Sequence, residues 1–135
     1  MPLSPEVRAF LLAKLRWAVL GTINEDGSIQ QSVMWFDLDG DAILMNTKAG
    51  RVKDRNMRRD ARVSVCVEEE EQYVAINGRA TMLDDRERSQ GDAYRLAVRY
   101  HDETTADEMM ESDYRHQERV SIRVSIDSVV THNVG

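Results

Sequence analysis

Strict alternation of apolar and polar side chains near the end of the chain constrains the fold more than any other feature. It runs through Val120, Ser121, Ile122, Arg123, Val124, Ser125 and Ile126. A second alternating run covers residues 73–82, and Gly78 inside it predicts a bulge or a close approach by another backbone. A period of two residues is typical of a strand with one face against a core. The chain is therefore expected to build a sheet with one buried face.

Shorter runs rich in β-forming residues precede these two strands, at residues 17–23, 29–38, 42–47 and 63–68. Asp39 and Gly40 lie between the second and third runs, and Asp-Gly in that position predicts a hairpin that makes strands two and three antiparallel neighbours. Helical patterns occupy residues 5–14, 50–59, 86–100 and 106–112, the first of them after Ser4 as N-cap. These elements predict a mainly β fold, a six-stranded antiparallel β-barrel with flanking helices, in one domain over residues 1–135.

Charge and cysteine content narrow the class of protein. The net charge is −6, which argues against a nucleic-acid partner because such binding needs a cationic surface. Cys66 is the single cysteine, so no disulfide forms within one chain, as suits a reducing cytoplasm. No stretch has the length and apolar character of a signal peptide or a membrane span. We therefore expect a cytoplasmic protein without a membrane span.

A cationic segment, residues 48–62, stands out in this acidic chain. It holds seven Lys and Arg side chains against Asp54 and Asp60. Arg forks and Lys point charges match phosphate oxygens, and the segment begins where the third predicted strand ends. An anion site there is one interpretation, and the solvated face of a surface helix is the other. Asn56 falls on the apolar side of this helix, so its amide is expected to have a definite partner.

Side chains for acid–base or nucleophilic catalysis are not grouped in the sequence. His101, His116 and His132 fall in predicted loop or terminal positions, and no Ser/His/Asp or Cys/His set has convincing spacing. The acidic residues 68–71 are expected to form a solvated hairpin tip, since no further ligand is spaced to complete a metal shell. The sequence therefore predicts no catalytic side chain and no metal site.

Four segments, residues 19–28, 31–36, 46–64 and 73–80, resemble the pyridoxamine 5'-phosphate oxidase-like split β-barrel family, whose fold is the FMN-binding split barrel. Within that family the chain is most similar to the flavin/deazaflavin oxidoreductase branch, many of whose members use coenzyme F420. Arg51, Lys53 and Asn56 carry the most specific part of the resemblance. It covers residues 5–83 well and the last strand loosely, whereas residues 84–119 carry nothing that transfers.

The resemblance implies a homodimer with two cofactor grooves at the subunit interface. It implies that the residues binding the cofactor phosphate are Arg51, Lys53 and Asn56, beside Asn46, Thr47 and Lys48 at the strand end. The implied contacts of the cofactor ring are Gln31, Ser32 and Val33, with Trp35 as a wall. Gly78, Arg79 and Ala80 are implied to approach the ring from the other subunit.

The function implied is that of an oxidoreductase in which reduced coenzyme F420 passes a hydride to a small electrophilic substrate. FMN is the alternative cofactor, since both molecules carry a phosphate after a ribityl chain. The polyglutamate tail of the deazaflavin would meet spare cations, for which the candidates are Lys48, Arg55, Arg58 and Arg59, unless these are simply solvated. A second possibility is a non-catalytic protein that stores or carries a flavin, a haem or a similar tetrapyrrole.

Overall fold

The structure, a computed structural model that describes residues 1–135, has seven strands, four α-helices and one 3-10 turn. The strands are β1 (Ala18–Ile23), β2 (Ile29–Met34), β3 (Asp37–Asp39), β4 (Ala42–Lys48), β5 (Arg62–Glu69), β6 (Gln72–Leu83) and β7 (Arg119–His132). The helices are α1 (Pro5–Ala13), α2 (Val52–Arg59), α3 (Arg86–Tyr100) and α4 (Glu103–Ser112), and the 3-10 turn is Tyr114–His116. Ser4 caps α1 by accepting a hydrogen bond from the Val7 backbone N–H at 3.2 Å, which confirms the predicted N-cap.

All seven strands form one antiparallel sheet in the order β2-β1-β5-β6-β7-β4-β3. The two strands with the clearest alternation, β6 and β7, pair with each other at its centre. Their inward side chains join a core of 23 buried apolar residues, which includes Ile76, Ile122 and Val124. The mainly β architecture with flanking helices is thus confirmed.

The strand count differs from the prediction, because the single strand expected over residues 29–38 is two strands. The ladder stops at Trp35 and Phe36, after which β3 pairs with β4. The Phe36 N–H donates to Tyr100 Oη at 3.1 Å, and the Phe36 carbonyl accepts from Arg99 Nε at 3.0 Å. Side chains of α3 therefore satisfy backbone groups that a sheet neighbour would otherwise have satisfied.

This break decides the shape of the sheet. β2 and β3 are its two edge strands, yet only Trp35 and Phe36 separate them along the chain. Met34 ends β2 and Asp37 begins β3, and three Cα–Cα steps span at most about 11 Å, so these two edges of the sheet must lie close together. The sheet is consequently curled into a barrel, and only β3, the last part of the predicted second strand, is a neighbour of β4.

Gly78 lies at an irregularity of the β6–β7 ladder, where the register shifts between Asn77 and Gly78. A Cβ at this position would lie 2.2 Å from the Ser125 carbonyl oxygen and 2.9 Å from a methyl carbon of Val124. The prediction of a bulge or a close backbone approach is confirmed, and the approaching backbone is the chain's own β7.

No helix combines the length and the apolar character that crossing a lipid bilayer requires.

Candidate functional site

A cavity of about 380 Å³ lies where the ends of β4 and β7 meet α2, α3 and the α4 region. We call it the cationic cavity. Its lining residues come from several strands, helices and loops: Trp17, Val33, Met34, Trp35, Asn46, Thr47, Lys48, Arg51, Lys53, Ala93, Leu96, Met109, Asp113, Tyr114, Gln117 and Arg119. Its volume is in the range of small-molecule sites.

Three cations of this cavity have no partner in the protein. Lys48, Arg51 and Lys53 make neither an ion pair nor a side-chain hydrogen bond, while most other Lys and Arg side chains make one or both. The chain is acidic overall, so carboxylates to pair with them are plentiful. Asp113 is the one carboxylate of the lining, and it forms no ion pair with them. Cations that outnumber the carboxylates and lack ion-pair partners form a region suited to an anionic ligand.

Arg119 adds a fourth cation that the sequence analysis did not select. It pairs with Lys48 in the β4–β7 register, and like charges directly opposite each other weaken a sheet. The Arg119 guanidinium donates through Nε to Asn46 Oδ1 at 3.0 Å and through Nη1 to Gln117 Oε1 at 2.8 Å. The central carbon of this guanidinium, Cζ, lies 4.5 Å from the centre of the Tyr114 ring. The sequence signal that could have indicated Arg119 is its position as the first residue of the alternating strand β7.

Burial and the repulsion between neighbouring cations both lower pKa values in this cavity. Burial lowers the pKa of Lys53, and the positive charges of Arg51 and Arg119 lower this pKa further. Burial likewise lowers the pKa of Arg119, with a further contribution from Arg51. Arg51, Lys53 and Arg119 thus share one partly desolvated region, and a bound anion would relieve the repulsion between them.

Aromatic and apolar side chains line the rest of the cavity. The rings of Trp35 and Tyr100 stack with centroids 5.1 Å apart and planes 10° from parallel. Trp17 lies 6.2 Å from Trp35, and 58% of its surface is exposed, so this group is open on one side. Ala93 and Leu96 of α3 add apolar surface to the lining. The cavity therefore combines a group of cations with aromatic and apolar side chains.

The predicted cofactor residues divide into two groups in the structure. Those that line the cationic cavity are Val33, Trp35, Asn46, Thr47, Lys48, Arg51 and Lys53. Those outside it are Gln31, Ser32, Asn56, Gly78, Arg79 and Ala80. Ala80 is packed in the core, and exposed Arg79 lies 3.6 Å from Asp127. Ser32 Oγ is buried without a hydrogen-bond partner.

Asn56 faces inward as expected, and its partners belong to the β1–β2 hairpin. Its amide nitrogen donates to Thr22 Oγ1 at 3.1 Å and to Asn24 Oδ1 at 2.9 Å. Its amide oxygen accepts from Arg59 Nη2 at 2.9 Å. The side chain is only 4% exposed, so it ties α2 to the hairpin and does not reach the cationic cavity.

Most of the other cations of residues 48–62 are also engaged within the protein. Arg58 bridges Asp54 at 2.8 Å and Asp84 at 2.6 Å. Arg55 donates to the Gly50 carbonyl, and Arg59 donates to the Ile23 carbonyl. Of the candidates for a polyanionic tail, Lys48 alone lacks such contacts and lines the cavity.

The histidines and the acidic side chains do not come together as a metal site. No group of three or more His, Cys, Asp or Glu side chains is placed to hold a metal ion. His101 contacts Trp35 edge-on at 5.3 Å, and His116 lies in the 3-10 turn. His132 is the last residue of β7, close to the end of the chain, and stacks on Tyr73.

The fold and the cavity together define a small antiparallel β-barrel with a cavity lined by cations and aromatic side chains. The sequence model of the family described as pyridoxamine 5'-phosphate oxidase matches residues 3–133. The chain therefore belongs to the pyridoxamine 5'-phosphate oxidase family, as its resemblance to that family predicted. No curated protein matches the sequence.

Solved structures share this fold along almost the whole chain. A conserved hypothetical protein from Mycobacterium tuberculosis, Rv2991, is 26% identical with a TM-score of 0.82, covering 96% of this chain and 84% of that one. An F420 reductase is 24% identical with a TM-score of 0.71, covering 94% and 98%. The haem storage protein HutZ from Vibrio cholerae is 16% identical with a TM-score of 0.74, covering 100% and 98%.

Proposed function

We propose that the protein is an oxidoreductase that holds coenzyme F420 in the cationic cavity and reduces a small electrophilic substrate. The single observation that carries this proposal is the set of unpaired cations, Lys48, Arg51 and Lys53, beside an aromatic wall. A cofactor of this type has the matching form, an anionic phosphate at one end and a planar ring at the other. The similarity of the fold to that of an F420 reductase motivates the choice of cofactor.

The residues of the cavity fit such a group. Arg51 and Lys53 have free donors, and phosphate oxygens accept charged hydrogen bonds from both side-chain types. α2 begins at Val52, so its first backbone N–H groups and the positive end of its dipole face the same region. Trp35 is half-buried, with one face held by Tyr100. A ring entering the cavity would lie against it.

The protein's part in the reaction is binding, orientation and exclusion of water. When bound, a reduced deazaflavin or flavin supplies a hydride from its ring, so the protein needs no nucleophile or general base of its own. Arg51 and Lys53 would fix the phosphate, which sets the position of the ring along the cavity. Trp17, Trp35 and Leu96 would exclude water around the ring.

FMN is the alternative cofactor, since the Arg51 and Lys53 pair suits either phosphate. Lys48 favours the deazaflavin, because an exposed and unpaired cation at the edge of the cavity suits the carboxylates of a polyglutamate tail, which FMN lacks. The test is a titration of the purified protein with each cofactor, in which tryptophan fluorescence reports binding. Tighter binding of F420 supports the proposal, whereas a yellow protein that retains FMN overturns this choice.

Turnover separates an enzyme from a carrier. Oxidation of reduced F420 on addition of an electrophilic acceptor is expected of a reductase, with a rate that depends on the acceptor. A protein that binds F420 or FMN tightly but leaves that rate at its uncatalysed value would be a flavin carrier. Tight binding of haem, with neither F420 nor FMN bound at micromolar concentration, would make it a tetrapyrrole-binding protein instead.

The partner proposed is a second copy of the chain. A row of apolar side chains crosses the outer face of five strands in direct register: Val33, Val19, Cys66, Ala75 and Val130. Val33 is 61% exposed and Val130 is 56% exposed, and Val33 also lines the cavity. An apolar face continuous with an open cavity suits a partner that would complete the site. Of Gly78, Arg79 and Ala80, the exposed Arg79 is the residue that this proposal offers to the cavity of the partner, because Gly78 and Ala80 are buried within the chain itself.

Light scattering of the purified chain tests this assembly. The wild type is expected to have the mass of a dimer, and Val130→Lys is expected to shift it to a monomer, because a charge would be buried at the interface. Gln72→Lys, on the same sheet but at the exposed hairpin tip, serves as the control. A monomeric wild type at micromolar concentration contradicts the proposal.

A further inference from the structure

A chain of buried polar side chains leads from α3 to the cationic cavity. Ser121 Oγ donates to Asp92 Oδ2 at 2.6 Å, and Asn46 Nδ2 donates to Ser121 Oγ at 3.3 Å. Asn46 Oδ1 in turn accepts from Arg119 Nε at 3.0 Å. Ser121 is 0% exposed, Asp92 is 7% exposed and Asn46 is 8% exposed. Of these four side chains, the cation Arg119 carries free donors into the cavity.

The orientation of the Asn46 amide is fixed by its neighbours. Its nitrogen donates both to the Ser89 carbonyl at 2.9 Å and to Ser121 Oγ. A flipped amide would place its oxygen against the Ser89 carbonyl oxygen and its N–H groups against the Arg119 guanidinium, and both contacts are repulsive. Asn46 therefore has no donor left for a ligand, and its oxygen is committed to Arg119.

Arg119 is held in place and keeps donors to spare. Asn46 and Gln117 take two of its five N–H groups, and Tyr114 supports one face of the guanidinium. No carboxylate lies within ion-pair distance of it. A planar fork fixed in advance loses little conformational freedom when it binds an anion.

The side chains of this hydrogen-bonded row explain why the charge of Arg119 remains available to a ligand. The carboxylate of Asp92 is balanced by Arg88, whose Nε donates to it at 2.7 Å. Two neutral side chains, Ser121 and Asn46, stand between that carboxylate and Arg119. They orient the guanidinium without neutralising it, which a direct ion pair would do.

We propose that Arg119 is a third binding residue for the phosphate-type anion held by Arg51 and Lys53, and that Asn46 and Ser121 are its positioning residues. The inference rests on the proposed function, in which the cationic cavity holds the phosphate of a cofactor. It changes the predicted role of Asn46, which orients Arg119 and does not touch the ligand. It also makes residue 119, beyond the segment 48–62, part of the anion site.

The experiment uses two simple probes, inorganic phosphate and riboflavin, a flavin that lacks the phosphate. Binding is followed by tryptophan fluorescence, since Trp17 and Trp35 line the cavity. Arg119→Ala is expected to weaken phosphate binding about tenfold or more, the scale of a charged hydrogen bond. Ser121→Ala is expected to weaken it about threefold to tenfold by loosening Asn46. Riboflavin affinity should change less than about twofold in both variants.

Further variants keep the test decisive. Arg119→Lys should recover part of the phosphate affinity, because it restores the charge without the fork, and it serves where Arg119→Ala does not fold. Arg115→Ala removes a nearby exposed cation that is paired with Glu111, and it should bind both probes like the wild type. Circular dichroism and thermal unfolding identify any variant with a damaged fold.

The outcomes separate this inference from the proposed function. Phosphate affinity unchanged within twofold in Arg119→Ala overturns the inference, as does an equal loss for phosphate and riboflavin in Ser121→Ala, which would indicate a purely structural role. Failure of the wild type to bind phosphate overturns it too. If phosphate binds as expected while neither F420 nor FMN does, the anion site stands and the proposed cofactor falls.

Discussion

The amide of Asn56 donates to the hydroxyl of Thr22 across 3.1 Å, a contact that fastens helix α2 to the first strand of the barrel. Thr22 is 0% exposed, and Asn56 is 4% exposed. Asn56, one of the three residues that carry the most specific part of the family resemblance, therefore has its hydrogen-bond partners within the protein and lies outside the lining of the cationic cavity. This relationship positions Arg51 and Lys53, because both belong to the start of the same helix.

Asn56→Ala should lower the free energy of unfolding by about 1–3 kcal/mol, because Thr22 and Asn24 would lose a buried donor. Phosphate affinity of the folded variant should stay close to that of the wild type. Urea denaturation measures the first quantity, and fluorescence titration measures the second. Asn77→Ala, at an exposed position of β6, is the control and should cost less than about 0.5 kcal/mol. Loss of phosphate affinity with unchanged stability would instead show that Asn56 binds the ligand.

Arg51→Ala and Lys53→Ala should each weaken cofactor binding by about 1.5–3 kcal/mol, with little loss of folding stability, since neither side chain has a partner in the protein. Arg58→Ala is the control variant with the opposite expectation, because it removes the ion pairs to Asp54 and Asp84 outside the cavity. That variant should lose stability and retain affinity. Calorimetric titration with F420 and FMN gives the affinities. Equal affinities for wild type, Arg51→Ala and Lys53→Ala would place the phosphate elsewhere.

Lys53 should make stability depend on pH above neutrality. Burial and the charges of Arg51 and Arg119 lower its pKa from the ordinary 10.5. Between the lowered pKa and 10.5, the unfolded chain binds more protons than the folded chain, so the free energy of unfolding contributed by this group rises with pH. Below that window, the charged side chain destabilises the folded state.

Lys53→Met should consequently be more stable than the wild type at pH 7, and its advantage should shrink as the pH approaches 10.5. Urea denaturation of both proteins at pH 7 and pH 10, in low salt, provides the comparison. Lys48→Met, at an exposed position of the same cavity, should change stability less. A Lys53→Met variant that is less stable than the wild type at pH 7 contradicts this account.

The ring end of the cavity is open to a separate test. Trp35→Leu removes the aromatic surface that stacks on Tyr100. It should therefore weaken the binding of riboflavin and of FMN by similar factors and leave the binding of inorganic phosphate unchanged. Loss of one aromatic contact corresponds to about 0.5–1.5 kcal/mol. Tyr73→Leu removes an aromatic ring near the start of β6, outside the cavity lining, and should affect none of the three ligands. Unchanged riboflavin binding in Trp35→Leu would exclude this wall from the site.

Two glycines should respond oppositely to the same substitution. Gly78→Ala places a Cβ 2.2 Å from the Ser125 carbonyl oxygen, so it should unfold at a markedly lower urea concentration than the wild type. Gly91 lies in the exposed interior of α3, where an added methyl group would meet no atom within 4 Å, so Gly91→Ala should stabilise by about 0.5–1 kcal/mol. A Gly78→Ala variant as stable as the wild type would show that β7 moves aside easily.

Local patterns were sufficient for the elements whose evidence lies within a few residues. The alternation in residues 120–126, Ser4 as a helix cap and Gly78 as a bulge all correspond to features of the structure. The split at Trp35 and Phe36 was not predictable in this way, because the groups that replace the ladder, Arg99 and Tyr100, lie more than sixty residues further along the chain.

The sequence by itself determined the β-rich elements, the family and the cationic segment of residues 48–62, which contains Arg51 and Lys53. Only the tertiary structure decided that β7 lies beside β4, which sets Arg119 opposite Lys48 and Ser121 opposite Asn46. Periodicity reports which side chains share a face of one element, since it depends on the geometry of the local backbone. The neighbour of each strand depends on packing and loop closure across the whole chain, so a site assembled from several strands and helices is complete only once the barrel has closed.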